Sequence, residues 1–298
     1  MKRLGIALNS IRRESHQGFG YAAEWFARRF YLRFIHSRFP MLPSAIKADR
    51  ERKITVVIPA AEKDIAVLSH CLRAVRQMIQ HEVEAVWVVG PDSPRIRQIA
   101  MLAGCDFIHE DSILPRRAAE LKCRGWVLQQ FIKLNAAAVV SSPDYLVVDA
   151  DTVFLQPQSF FRRQKSVLRY ADQYELLYNR SLELVFGHPR RFPVSFVTHH
   201  MLLNAALVKG LLHLIESRFG CPWWKAILQQ VDTGHPVSFS EYELYGHFVL
   251  LQPNWQRTFR LEYWYGLDRS REDLPRLDVV RGKAGGLLNS VSFHCHTQ

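Results

Sequence analysis

Residues 145–154 read YLVVDADTVF, and this stretch decides the fold of the chain. A run of apolar, strand-forming residues ends in two carboxylates, Asp149 and Asp151, which are separated by one small residue. Because side chains alternate along an extended chain, both aspartates point the same way, about 7 Å apart. Two hard oxygen donors at the end of a strand suit Mg²⁺ or Mn²⁺, ions that commonly carry the phosphates of a substrate. The stretch therefore predicts a strand that leads into a divalent-cation site.

The chain before this stretch alternates between strand and helix patterns. Strands are predicted over residues 54–59, 85–89 and 106–108, and helices over residues 62–80, 95–103 and 126–140. The second half is less regular, with helices predicted near residues 205–218 and 240–248. The alternation indicates an α/β fold with a mostly parallel sheet flanked by helices and joined by right-handed crossovers. Ligands of such sheets bind at the carboxyl ends of the strands, where Pro59, Asp92 and Asp149 lie.

The composition is that of an ordinary globular chain. Its 298 residues suffice for one large or two small domains, and 48% of them are hydrophobic while 22% are charged. No apolar run approaches the roughly 18–20 residues that span a bilayer, and no long apolar segment follows the basic start as it does in a signal peptide. The five cysteines are scattered without CxxC spacing, which favours reduced thiols over disulfides or a zinc site. These observations predict a cytoplasmic protein.

Positive charge is concentrated in residues 1–53, which hold twelve Lys and Arg residues and four acidic residues, or +8 of the net charge of +11. Phe26, Phe30 and Phe34 recur every four residues among these basic side chains, as on one face of a helix. Such a helix binds an anionic membrane surface, or it packs on its own domain with a solvated basic face. Both interpretations stay open. No nucleic-acid partner is predicted, because the chain has no pattern of a nucleic-acid-binding module.

Several segments, in their order along the chain, resemble the nucleotide-sugar half of a GT-A glycosyltransferase. They read VVIPA at residues 56–60, VVGPDSP at 88–94, GWVLQQFIKLNAA at 125–137 and VVDADTVF at 147–154. Later segments resemble, more narrowly, a bacterial family of GT-A-type proteins catalogued mainly as a domain of unknown function. These read SFVTHHMLLN at residues 195–204, FSEYELYG at 239–246 and SFHCHTQ at 292–298.

The resemblance implies the domain organisation. It covers residues 54–296 approximately, so a GT-A-like, Rossmann-like domain is expected over residues 54–298. Residues 54–155 would form its nucleotide-sugar half and residues 156–298 its acceptor half. The basic helical extension, residues 1–53, lies outside the resemblance.

The resemblance also implies a site for Mn²⁺ or Mg²⁺ at the DxD motif. In GT-A enzymes the first aspartate of this motif commonly contacts the donor ribose or the metal, and the last binds the metal. Those roles fall on Asp149 and Asp151. Many such enzymes add a histidine ligand near the C-terminus, which matches His294 or His296; alternation places both on one face of a strand, and we prefer His294. The alternative for a terminal histidine is a surface position without function.

According to the resemblance, the nucleotide sugar lies along the start of the sheet. The residues expected to contact it are Pro59, Ala60, Glu62, Asp92, Gln130, Lys133, Asp149, Ala150, His199 and His200. Some of them have structural alternatives. Asp92 belongs to Gly-Pro-Asp-Ser-Pro, which makes a good turn without any ligand. Lys133 faces either the diphosphate or solvent, and the two adjacent histidines are either ligand contacts or structural residues.

Inverting transfer of a sugar requires a base for the acceptor hydroxyl, and we expect an inverting outcome because carboxylates are available. Glu241 and Glu243 are the candidate catalytic residues. Ser240 fits the N-cap of a helix, and Glu243 stands where it would complete a capping box, which leaves Glu241 as the preferred base. The reverse assignment is nearly as well supported.

Together these patterns predict a metal-dependent glycosyltransferase. It would move a sugar from a nucleotide diphosphate donor, UDP first, to a bacterial surface-glycan or lipid-linked acceptor, in the cytoplasm and on the inner membrane face. Two alternatives stay open. The sequence from Asp149 to Val153 also fits the DxDx[TV] opening of haloacid-dehalogenase-type phosphatases with Asp149 as nucleophile, although that motif usually follows the first strand. The other alternative is a non-catalytic basic peripheral membrane protein whose carboxylates bind a structural ion.

Overall fold

The structure, a computed structural model, describes residues 52–171, 175–192, 194–230, 238–284 and 288–294. The basic extension predicted over residues 1–53 lies almost wholly outside the described residues, and so does His296. The helical face of Phe26, Phe30 and Phe34 therefore stays a prediction.

Strands and helices alternate through the first half of the chain, as predicted. The strands are β1 (Lys53–Pro59), β2 (Glu82–Gly90), β3 (Asp106–His109), β4 (Asp144–Val148), β5 (Thr152–Phe154), β6 (Phe161–Arg162), β7 (Lys165–Tyr170), β8 (His200–Asn204), β9 (Phe259–Tyr263), β10 (Gly266–Ser270) and β11 (Ser290–His294). The α-helices are α1 (Ile65–Met78), α2 (Pro94–Leu102), α3 (Ala118–Leu121), α4 (Gly125–Asn135), α5 (Leu176–Phe186), α6 (Ala205–Phe219), α7 (Trp223–Gln230), α8 (Glu241–Leu251) and α9 (Leu277–Ala284). None of these helices is long and apolar enough to cross a membrane.

A five-stranded sheet in the order β3-β2-β1-β4-β8 forms the centre of the fold. The strands β1 to β4 run parallel to their neighbours, and β8 pairs antiparallel with β4. The prediction of an α/β fold with a mostly parallel sheet is confirmed. Alternation along the strands divides the apolar side chains between two cores. In β4, for example, Tyr145 and Val147 pack into one core and Leu146 and Val148 into the other.

The helices begin and end where local chemistry requires. The predicted helix over residues 62–80 is shorter in the structure, because residues 62–64 form a 3₁₀ turn and Ile79 is extended. At the start of α2, the Ser93 side chain accepts a hydrogen bond from the Ile96 amide, and Pro94 occupies the first turn. α1 and α2 therefore start shortly after the carboxyl ends of β1 and β2, at the edge where ligands bind.

The stretch that the sequence indicates as one strand, residues 145–154, is divided in the structure. β4 ends at Val148, and β5 belongs to a second sheet, in the order β10-β11-β5, where it runs antiparallel to β11. The Thr152 amide donates to the Asp149 carbonyl at 3.0 Å and closes the turn between them. The DxD motif thus lies at the junction of two sheets. A third sheet, β6-β7-β9, completes the second half.

Candidate functional site

The DxD turn is held by backbone hydrogen bonds to two distant segments. The Asp149 amide donates to the His199 carbonyl at 2.9 Å, and the Phe293 amide donates to the Asp151 carbonyl at 2.9 Å. The first bond ties the turn to the residues before β8, and the second ties it to β11. Each of these segments carries a histidine, so His199 and His294 are brought to the two aspartates by the pairing of strands.

Asp149 contacts a buried lysine. Its Oδ1 forms an ion pair with Nζ of Lys133 and accepts a hydrogen bond from the Tyr242 hydroxyl at 3.0 Å. Nζ of Lys133 also lies 2.6 Å from Oε1 of Glu241. Burial lowers the pKa of Lys133, but the two carboxylates outweigh burial and raise that pKa above its ordinary value. Burial likewise raises the pKa of Asp149, yet Lys133 and His199 hold it well below its usual range.

Two histidines and a third aspartate complete the site. Nε2 of His199 lies 3.3 Å, and Nε2 of His294 lies 3.2 Å, from Oδ1 of Asp268. The other ring nitrogens face the DxD motif. Nδ1 of His199 is 3.4 Å from Oδ2 of Asp149, and Nδ1 of His294 is 3.0 Å from Oδ2 of Asp151. These five residues, Asp149, Asp151, His199, Asp268 and His294, are called the DxD cluster below.

The DxD cluster holds its histidines in their charged form. Burial lowers their pKa values, but hydrogen bonds that His199 donates to Asp149 and Asp268 raise its pKa to about 10, and those that His294 donates to Asp151 and Asp268 raise its pKa to about 9. Burial raises the pKa of Asp268, and the two histidines hold it well below its usual range. At neutral pH the two imidazoles of the metal-free cluster are therefore protonated and lie beside the ionised Asp149 and Asp268.

The backbone of His199 is in the left-handed region, with φ at 61°. This conformation is uncommon for a residue with a Cβ atom, costs about 1–3 kcal/mol, and persists only where the surroundings impose it. The hydrogen bond from the Asp149 amide to the His199 carbonyl is one of the contacts that impose it. A strained residue at the centre of a polar cluster indicates a functional position.

The two predicted catalytic glutamates have different surroundings. Ser240 caps α8 by accepting a hydrogen bond from the Glu243 amide, as predicted. The predicted capping box is wrong, however, because the Glu243 carboxylate instead accepts from the Ser195 hydroxyl and lies 3.2 Å from Nε2 of His247. Glu241 is 0% exposed and contacts Lys133. Glu241 is therefore linked to the DxD cluster, whereas Glu243 belongs to a separate buried network.

Other predicted donor contacts are buried beside the cluster. The side-chain oxygen of Gln130 accepts a hydrogen bond from the Glu241 amide at 2.9 Å. Ala150, between the two aspartates, is buried as well. Gln130 thus holds the start of α8, and Ala150 packs in the core beneath the DxD turn.

His200 lies in the core next to the site. Its Nδ1 is 2.7 Å from the Thr198 carbonyl and its Nε2 is 2.9 Å from the Arg169 guanidinium. Its ring centroid lies 4.1 Å from that of Trp264. Burial and Arg169 lower the pKa of His200 well below its ordinary value. The ring is therefore neutral, and both of its nitrogens have partners inside the protein.

The ends of β1 and β2 approach each other closely at the predicted nucleotide position. β1 ends at Pro59, and the next residue, Ala60, donates its amide hydrogen to the Val89 carbonyl at 2.8 Å. A Cβ atom added to Gly90 would lie 2.5 Å from the Ala60 carbonyl oxygen. The glycine is thus required by the close approach of the two backbones.

Glu62 and Asp92 contact the start of α2. The Ser93 hydroxyl donates a hydrogen bond to Glu62, and the exposed Asp92 carboxylate pairs with Arg97 at 3.0 Å. The structure therefore gives both acidic residues protein partners at the rim of the sheet, at the carboxyl end of β2.

Tyr242 and Asp268 are missing from the interpretation of the sequence. The one local signal for Tyr242 is its place between Glu241 and Glu243. Asp268 enters the site because β10 pairs with β11, with Asp268 opposite Ser292. That pairing joins residues far apart in sequence, so no local pattern identifies Asp268.

The donor atoms of the DxD cluster fit a divalent cation. Oδ1 of Asp151 is buried and has no hydrogen-bond partner among the described residues, so it is an acceptor that a cation would satisfy. Ligand atoms of His199, Asp268 and His294 all lie within 4.8 Å of one another. Carboxylate oxygens suit Mg²⁺ and Mn²⁺, and imidazole nitrogens suit transition ions.

Sequence comparison assigns the chain to a family. The profile described as "Family of unknown function (DUF6492)" matches residues 51–275, and the chain belongs to this family. No curated protein matches the chain.

Two solved structures show a limited likeness to the fold. One is glucosyl-3-phosphoglycerate synthase from Mycobacterium tuberculosis in complex with Mn²⁺, uridine diphosphate and glucosyl-3-phosphoglycerate; identity is 14%, the TM-score is 0.37, and the match covers 57% of this chain and 67% of that chain. The other is mouse xyloside xylosyltransferase 1 in its apo form; identity is 11%, the TM-score is 0.47, and coverage is 83% of this chain and 99% of that chain. At this level of identity and structural similarity, neither protein's activity extends to this chain.

Proposed function

We propose that this chain, as a member of the DUF6492 family, is a metal-dependent glycosyltransferase that moves a sugar from a nucleotide diphosphate donor to an acceptor hydroxyl. The observation that carries the proposal is the DxD cluster, which follows the carboxyl end of β4 in a sheet whose first four strands run parallel. Ligands of such sheets bind at this edge. UDP is the first nucleotide to test, because the sequence segments resemble the nucleotide-sugar half of GT-A glycosyltransferases.

The nucleotide is proposed to lie over the ends of β1 and β2. Ala60 carries only a methyl group and Gly90 packs directly against its carbonyl, so this edge of the sheet, where ligands of parallel sheets bind, carries little side-chain bulk. Glu62 and Asp92 supply polar groups for the base and the ribose at the same rim. The exposed ion pair between Asp92 and Arg97 exchanges readily with a ligand, because pairs of this kind contribute little to stability.

The diphosphate is proposed to lie beside the DxD cluster, with Mn²⁺ or Mg²⁺ held in that cluster. A bound dication offsets the negative charge that develops on a nucleoside diphosphate leaving group. Lys133 holds Asp149 from the inner side through their ion pair. His199 is proposed to contact the donor, and His200 is proposed to support His199 from the core.

Glu241 is the proposed base for the acceptor hydroxyl. Its Oε2 is buried and has no hydrogen-bond partner among the described residues, so it can accept a proton once the residues that cover it move aside for the acceptor. Burial raises the pKa of Glu241 against the opposing effect of Lys133. A carboxylate with a raised pKa is a better base near neutral pH. Glu243, which binds Ser195 and His247, is proposed to hold α8 in place.

The acceptor is proposed to be a surface glycan or a lipid-linked sugar, reached in the cytoplasm at the inner membrane face. The support is the charge of residues 1–53, which carry +8 of the net +11. Clusters of Lys and Arg attract anionic lipid surfaces at about 1 kcal/mol for each basic residue near the surface.

Donor hydrolysis without an acceptor tests the proposal. UDP release from a panel of UDP-sugars is measured in Mn²⁺ for the wild type, Asp149→Asn and the control Asp273→Asn, whose aspartate pairs with Arg276 and does not belong to the cluster. We expect slow hydrolysis of one donor by the wild type and the control, and little by Asp149→Asn. If UDP-, GDP- and CMP-sugars all stay intact while a phosphate monoester is hydrolysed, the phosphatase alternative replaces this proposal.

A further inference from the structure

The spacing of three ligand atoms in the DxD cluster is that of a metal site. Oδ1 of Asp268 lies 3.3 Å from Nε2 of His199 and 3.2 Å from Nε2 of His294. Adjacent ligands of one ion, each about 2.1 Å from it, are separated by about 3–3.5 Å. Ligand atoms of all three residues lie within 4.8 Å of one another, so a small closure of the side chains lets the two imidazoles and the carboxylate share one ion.

The second nitrogen of each ring supports the same assignment. Nδ1 of His199 faces Asp149 at 3.4 Å, and Nδ1 of His294 faces Asp151 at 3.0 Å. A histidine that binds a metal commonly donates its other ring N–H to a carboxylate, which fixes the tautomer and the direction of the ring. Both histidines have such a partner, and both partners belong to the DxD motif.

We propose that a transition-metal dication binds directly to Nε2 of His199, Nε2 of His294 and the carboxylate of Asp268, while Asp149 and Asp151 orient the two imidazoles. This inference rests on the proposed function, because it assigns the metal ligands of the same site. The motif aspartates then act as positioning residues. Of the three proposed ligands, His294 is the one that the resemblance of the sequence anticipates, whereas His199 and Asp268 are not anticipated as ligands.

Access and backbone geometry agree with this arrangement. The Asp268 side chain is 67% exposed, whereas those of His199 and His294 are 19% and 30% exposed. An ion can therefore enter from the Asp268 side. The His199 backbone is left-handed, and its carbonyl accepts a hydrogen bond from the Asp149 amide. This backbone geometry fixes the direction in which the side chain leaves the main chain.

The donor set also predicts which ion is preferred. Mg²⁺ takes oxygen ligands almost exclusively, whereas imidazole nitrogen suits transition ions. Two imidazoles with one carboxylate therefore favour Mn²⁺, Co²⁺ or Zn²⁺ over Mg²⁺. A site formed by Asp149 and Asp151 alone would show no such preference.

Metal titration of the full chain without nucleotide tests the inference. Mn²⁺ binding is followed by the loss of the free-ion electron paramagnetic resonance signal, and Co²⁺ binding by its visible absorption, which reports nitrogen ligands. The variants are Asp268→Asn, His294→Gln and His199→Asn, since asparagine tolerates the left-handed backbone. Asp151→Asn tests the orienting role, and Asp273→Asn is the control. Circular dichroism confirms that each variant is folded.

We expect the dissociation constant for Mn²⁺ to rise at least about 100-fold in the three ligand variants and about 10- to 100-fold in Asp151→Asn. The control should match the wild type, and a tenfold excess of Mg²⁺ should not displace Mn²⁺. The inference is overturned if Asp268→Asn binds like the control while Asp151→Asn abolishes binding, which would make the motif aspartates the ligands. Absence of metal binding by the wild type would overturn it as well.

A parallel titration with UDP separates this inference from the proposed function. If the variants change metal binding as expected but UDP does not bind, the metal site is supported and the proposed glycosyltransferase function is contradicted. If UDP binds with the same affinity with and without the metal, a nucleotide site is supported and the proposed metal site is contradicted.

Discussion

Lys133 and Asp149 form a buried ion pair on the inner side of the site, although they belong to different elements of the fold. Lys133 lies in α4, and Asp149 follows β4. Glu241, at the start of α8, shares the same ammonium group. One lysine side chain thus links the residue that follows β4 to the first residue of α8.

Removing the charge of Lys133 should destabilise the protein strongly. Lys133→Met leaves Asp149 and the fully buried Glu241 without a counter-charge, and loss of one partner of a buried pair costs about 3–5 kcal/mol. The free energy of unfolding should fall by that amount in urea denaturation. Lys209→Met, which removes an exposed lysine on α6, serves as the control. Equal losses in the two variants would show that the pair contributes nothing specific.

The two neighbouring glutamates should respond differently to the same substitution. Glu241→Gln keeps the shape but removes the proposed base, so kcat should fall at least about 100-fold with little change in the affinity for UDP. Glu243→Gln disturbs the contacts with Ser195 and His247, so it should lower stability while the folded enzyme keeps its turnover. Steady-state kinetics and thermal melts distinguish the two. Near-normal turnover by Glu241→Gln would remove this residue from the mechanism.

The charged histidines should make the metal-free protein lose stability as the pH rises. Hydrogen bonds donated to the cluster's carboxylates raise the folded-state pKa of His199 to about 10 and of His294 to about 9, against about 6.5 when unfolded. The folded state therefore binds more protons in this range. The contribution is complete below about pH 6.5 and is lost between there and about pH 10. Melting temperatures in chelator should decline over this window, and less steeply for Asp268→Asn. If the melting temperatures of the wild type and of Asp268→Asn decline equally with pH, the proposed interaction of Asp268 with the two histidines is contradicted.

The basic N-terminal residues should bind anionic membranes. In liposome flotation, the full chain should rise with vesicles that contain phosphatidylserine but not with neutral vesicles, and salt should weaken binding. A chain without residues 1–50 should stay at the bottom. If both chains partition equally, the membrane proposal is wrong.

Local patterns predicted the centre of this fold well. The apolar runs at residues 54–59 and 85–89 form β1 and β2, and the motif at residues 149–151 follows β4 at the edge of the sheet. These segments are predictable because a strand buried on both faces is apolar throughout and because parallel strands end at a common edge.

The rest depends on contacts between distant residues. Thr152 begins β5 in a second sheet because it pairs with Ser292, 140 residues later. Asp268 and His294 reach the site through the same sheet. His199 and His200 are adjacent in sequence, yet one lies in the DxD cluster and the other in the core, because β8 begins between them. A local pattern carries no information about such pairings.

Calorimetric titration of UDP into the full chain, with Mn²⁺ and again with chelator, tests the central claim most directly. The Asp151→Ala variant is titrated in parallel. The proposed glycosyltransferase predicts micromolar binding in Mn²⁺ that both the chelator and Asp151→Ala abolish. Absence of binding by UDP, GDP and CMP alike, or binding that neither chelator nor Asp151→Ala changes, would contradict it.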